Sequence, residues 1–143
     1  MKLSFNKKPI TDYNQLNLFG TKFKQGDAVK WEDKITNELI YGIITYASSD
    51  GSRYSVKSTK NFDKSINSEI LHPAFLKKIE HADDINVTDS LSVQTRYGEV
   101  ILKVTSKIAD TISCSNASSI GDINYFSYSL NYLLNNFTIY VFI

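Results

Sequence analysis

The final 21 residues, INYFSYSLNYLLNNFTIYVFI over 123–143, carry no charged side chain, and this narrows what the chain can fold into more than any other feature. A stretch of about 20 apolar residues can cross a bilayer as a helix, whereas in water an uncharged run must be covered or it aggregates. Four Asn and three Ser/Thr interrupt the run, and the nearest upstream charge is Asp122 rather than a basic anchor, so a tail-anchored membrane protein is the less favoured alternative. The residues favour a hairpin, with one strand over 125–134, a turn at Asn135-Asn136 and a last strand over 137–143. That last strand is so apolar that it belongs in the middle of a sheet or against another subunit. Phe137, Ile139, Val141 and Ile143 are therefore candidate interface residues.

At 143 residues with 42% hydrophobic side chains, the chain has material for a core without disulfides, and its single cysteine, Cys114, rules out a disulfide scaffold. Charge is unevenly placed. Residues 1–82 hold 13 basic and 9 acidic side chains, and residues 83–143 hold 3 and 6, so the sign reverses near position 83. This gives an N-terminal arm over 1–18, a first unit over 19–82 and a second over 83–143. No apolar run follows the basic residues of the first ten positions, so an intracellular, cytoplasmic protein is expected.

The first unit reads as short strands. A Gly26-Asp27 turn leads into a strand with Val29 and Trp31 on one side. Leu39 to Tyr46 is rich in β-branched and aromatic residues, with Gly42 where another backbone must come close. Asp50-Gly51 predicts a hairpin, with Tyr54 and Val56 sharing one face of the returning strand. Pro73 suits a single turn before a last short strand ending near Ile79. The order Gly26-Asp27-x-Val29-x-Trp31, Gly42-Ile43-Ile44, Arg53-Tyr54-x-Val56-Lys57 and the closing turn and strand resembles the SH3-like small β-barrels of the Tudor and KOW type. That resemblance, over about 19–80, implies a five-stranded barrel that binds rather than catalyses.

The second unit continues in β. Leu91 to Thr95 and Glu99 to Thr105 alternate around a Tyr97-Gly98 turn, and a weaker strand lies at 111–113. The fold class is thus mainly β, an SH3-like five-stranded barrel followed by a β-rich C-terminal region.

Chemistry-bearing patterns are sparse. His72, His81, Asp83 and Asp84 fall at no paired metal-ligand spacing, and Cys114 has no basic neighbour in sequence to favour its thiolate. No nucleotide-binding glycine loop or Gly-x-Ser-x-Gly elbow occurs. No enzyme, metal or cofactor is therefore expected. Two binding features remain. Trp31, Tyr41, Tyr46 and Tyr54 are candidates for an aromatic pocket, although simple alternation puts Tyr41 and Tyr46 on opposite faces. Lys57, Lys60 and Lys64 belong to a lysine-rich face suited to weak, sequence-unspecific nucleic-acid binding. The favoured expectation is a non-enzymatic protein-interaction or assembly module that self-associates or binds a protein partner. An accessory or structural protein of a phage, virus or mobile element would fit, in which case it would be virion-associated. Nucleic-acid binding is the alternative and membrane anchoring comes last.

Overall fold

A computed structural model describes residues 23–61, 63–117 and 122–143. The expected arm over 1–18 lies outside the described residues. Among the described residues the chain is mainly β, with two antiparallel sheets and one short α-helix.

The first sheet is built from β1 (Ala28–Glu32), β2 (Leu39–Ala47), β3 (Arg53–Ser58), β4 (Lys64–Asn67) and β5 (His72–Pro73), in the spatial order β4-β3-β2-β1-β5. The Asp50-Gly51 signal makes the β2–β3 hairpin. Asp50 Oδ1 accepts from the Ser48 hydroxyl at 2.8 Å, the Ser52 hydroxyl at 2.8 Å and the Ser52 N–H at 3.1 Å. Gly42 is required by close approach, since a Cβ there would sit 2.6 Å from the Lys57 carbonyl oxygen and 2.6 Å from Val56 Cγ1. One face of this sheet buries Val29, Trp31, Ile40, Ile44, Tyr54 and Val56 with Phe23, Ile66 and Leu71.

The closed five-stranded barrel is not what forms. β4 and β5 end the sheet without pairing to each other, and the ladder stays open. The strand expected to close it, β6 (Leu76–Lys78), pairs instead with the last strand of the chain. Pro73 lies at the point of departure. It has no N–H for a ladder, β5 is only two residues long, and after Ala74 donates to the Ala28 carbonyl at 3.0 Å the chain crosses over. Phe75 and Ile143 then exchange two backbone hydrogen bonds, of 3.1 and 2.9 Å, on the other sheet.

The second sheet comprises β6, β7 (Ser90–Thr95), β8 (Gly98–Ile108), β9 (Thr111–Ala117), β10 (Ile123–Ser129) and β11 (Thr138–Phe142), in the order β10-β9-β8-β7-β11-β6. β8 and β9 are longer than the alternation alone suggested, and the Tyr97-Gly98 turn joins β7 to β8.

The C-terminal hairpin expected over 125–143 is corrected. β10 stops at Ser129, and Leu130–Asn136 forms helix α1 before β11 begins. Leu130 and Leu133 are buried, with Leu134 and Phe137 packed beside them at the spacing of one helix face. Ser129 caps the helix by accepting from the Tyr132 N–H. Because β11 lies between β7 and β6, the apolar terminus is interior to a sheet. Among the described residues no helix is long and apolar enough to cross a membrane.

Two β-bulges share one chemistry. Register shifts between Ile44 and Tyr46 in β2, and between Val104 and Ser106 in β8, leaving Thr45 and Thr105 as the extra residues. Each threonine hydroxyl donates at 3.1 Å to a serine carbonyl on the neighbouring strand, Ser55 and Ser113 respectively. The β2 bulge overturns the alternation expected for the tyrosines. Ala47 now packs on the Ile44 face, so Tyr46 lies on the same side of the sheet as Tyr41.

Candidate interaction edge

The aromatic residues singled out in the sequence do not converge on one pocket. Trp31 and Tyr54 are in the first core, where the Tyr54 hydroxyl accepts from the Phe23 N–H at 2.9 Å. Tyr41 is half-buried on the other face against Phe142. Tyr46 is 64% exposed. The lysines are separated in the same way. Lys57 Nζ donates to the Glu99 carbonyl at 2.6 Å, Lys60 pairs with Glu38 at 2.6 Å, and Lys64 stands exposed on β4. Glu38 also pairs with Lys103 at 2.7 Å, and the hydrogen bonds from the two ammonium groups hold its carboxyl below the usual range.

Of the C-terminal candidates, Ile139 and Val141 are in the core of the second sheet, Phe137 packs beside it, and Ile143 is half exposed. Among the described residues no three His, Cys, Asp or Glu side chains come together as a metal site. An open cleft of about 350 Å³ lies between the end of β1 and β4, lined by Trp31, Lys34, Ile35, Lys64 and Ile70 among others. Its charges are of both signs, and Asp33 at its rim is occupied with the loop itself, accepting from the Ile35 and Thr36 N–H groups at 2.8 and 3.3 Å.

The sheet edges differ more sharply than the concave features. An edge strand offers unpaired N–H and C=O groups, and proteins blunt such edges with charge, proline or brevity. Among the described residues the two sheets have four edges, and three of them follow that rule. β4 carries Lys64, β5 is two residues with Pro73, and β6 carries exposed Lys77 and Lys78. β10 does not. It is seven residues long, INYFSYS, with no charge, no proline and no glycine, and among the described residues it pairs only with β9.

The residues of β10 alternate in role. Phe126 and Tyr128 stand opposite the buried Cys114 and Ile112 of β9, so they extend the core side of the sheet toward the rim. Their rings lie 6.0 Å apart, and Phe126 is still 37% exposed. Burial, with a smaller contribution from Cys114, raises the Tyr128 hydroxyl above its ordinary pKa. On the outer side, Tyr125 is 73% exposed, and Ser127 shares a 3.2 Å hydroxyl contact with Ser113. The lower end of the strand is pinned by Asp110, whose carboxylate accepts from the Ser129 hydroxyl at 2.6 Å and the Asn131 N–H at 3.2 Å. The rim is therefore fixed along β9 and at Asp110, and among the described residues its outer side has no strand beside it.

The exposed-edge hazard expected at the final strand falls instead on β10, which overlaps the strand expected over 125–134. The available signal was the same uncharged run. The helix that ends β10 is encoded by the pattern Ser129-Leu130-x-x-Leu133-Leu134-x-x-Phe137, whereas the place of β10 at the rim is set by the sheet order. Compared with protein-family models the chain matches none, and compared with curated proteins it matches none at a significant level.

Proposed function

We propose that this protein is a non-enzymatic interaction or assembly module that takes up an extended protein strand along β10. The observation that carries this reading is the uncharged, seven-residue edge strand, in a fold whose other edges are short or lysine-bearing. Strand addition draws affinity from main-chain hydrogen bonds and selectivity from alternate side chains. Here the alternate side chains are Tyr125 and Phe126, one on each face. The first sheet supports an SH3-like relationship, since its fifth strand returns beside the first in an antiparallel meander, and that class of fold also serves binding. Weak nucleic-acid binding through Lys57, Lys60 and Lys64 has less behind it, because two of the three are already engaged by Glu99 and Glu38.

The test is titration of labelled extended peptides of alternating Thr and Val, read by fluorescence anisotropy. Binding is expected, and it should disappear when alternate peptide amides are N-methylated. No binding, or equal binding of the N-methylated peptide, would overturn the reading.

A further inference from the structure

We propose that the strand received by β10 is β10 of a second copy of this chain, paired antiparallel about a two-fold axis at Phe126. The inference rests on the strand-addition reading above and names its partner. With Phe126 on the axis, Phe126 faces its own copy, Tyr125 faces Ser127, Asn124 faces Tyr128 and Ile123 faces Ser129. Each pairing sets a larger side chain against a smaller one, except at the axis, where two phenylalanines meet on the core side of the sheet. That is where the core layer is unfinished, with Phe126 37% exposed beside Tyr128. A two-fold contact uses one surface twice, so any charge on the strand would be brought near its own copy. β10 has none, whereas the lysines of β4 and β6 would penalise self-pairing there. The result is one continuous sheet of twelve strands across two chains, six from each.

In this register the two copies of Tyr125 are diagonal neighbours on the outer face, about 7 Å apart. Tyr125 is well exposed, so replacing it leaves the monomer intact. Strand pairing of this length gives an interface at the small end of the range, so association should depend on concentration across the micromolar range.

The experiment is light scattering after size exclusion, as a concentration series, on the full chain and on Tyr125→Lys and Tyr125→Glu, with circular dichroism checking the fold of each. We expect the wild-type chain to pass from monomer to dimer, each variant to dimerise at least tenfold more weakly, and an equimolar mixture of the two variants to recover the dimer. A defect confined to folding would not be rescued by mixing. Register is read by oxidative cross-linking in a Cys114→Ala background. Phe126→Cys should link two copies, and Asn124→Cys should not, its two copies lying about 13 Å apart along the strand. A chain that stays monomeric at every concentration but binds the alternating Thr/Val peptide would overturn self-pairing and leave strand addition standing. A monomer that binds no peptide would overturn both. A dimer indifferent to both Tyr125 variants would place the interface elsewhere and overturn this inference.

Discussion

The ring of Tyr41 in β2 lies 5.5 Å from that of Phe142 in β11, tilted by 37°, and the pair joins the two sheets. Around it Ala28 and Ile43 from the first sheet bury against Ile101 from the second. Truncating a buried phenylalanine typically costs about 3 kcal/mol or more, through lost transfer energy and the cavity left behind. Phe142→Ala should therefore lower the unfolding free energy by that amount, seen as a lower urea midpoint at unchanged slope. Tyr41→Phe should cost far less, because the hydroxyl is not what fills the contact. Equal losses in the two variants, measured by urea unfolding, would contradict this account of the joint.

Gly42 should not tolerate a side chain. An added methyl would sit 2.6 Å from the Lys57 carbonyl oxygen, a backbone atom of a paired strand that cannot turn aside. Gly42→Ala is expected to destabilise by about 1–3 kcal/mol, the usual cost of overpacking. Gly98→Ala offers a contrast, since nothing lies within 4 Å of a Cβ there and any cost comes from its φ of +111° alone.

Cys114 should be chemically inert in the folded chain. It is fully buried, and burial pushes its thiol up to about 11 from 9.0. An alkylating reagent at pH 8 should label it only as fast as the protein opens, and at the full rate in denaturant. The same shift gives stability a pH dependence. Between about 9 and 11 the unfolded chain releases this proton and the folded chain keeps it, so the Cys114 contribution is intact below 9 and is lost as pH rises through that window. Cys114→Ala should flatten this alkaline decline in a series of unfolding curves.

The cap of α1 depends on a residue from another turn. Asp110 accepts from the Ser129 hydroxyl and the Asn131 N–H, while its own carbonyl accepts from the Leu130 N–H at 2.7 Å. Asp110→Ala should cost about 1 kcal/mol, as cap removals do. Asp110→Asn keeps an acceptor and should recover part of it. Thermal unfolding of the two variants measures the difference.

Local chemistry was legible where neighbours in sequence are also neighbours in space. Asp50-Gly51 and Tyr97-Gly98 specified the β2–β3 and β7–β8 hairpins, and the alternation of Tyr54 with Val56 identified the buried face of β3, because a two-residue period and a tight turn need nothing from the rest of the chain. The uncharged terminus likewise announced that its last strand had to be covered. Which surface covers it was decided only in three dimensions. β11 is inserted between β7 and β6, strands that lie more than forty residues upstream, and β6 is thereby taken from the sheet it was expected to close. The bulge at Thr45 also carried Tyr46 to the face of Tyr41, since one extra residue reverses every later side chain and alternation read from sequence cannot see it. The exposure of β10 follows from the same reason. A strand becomes an edge through what fails to pair beside it, and that is a property of the assembled sheet rather than of its seven residues.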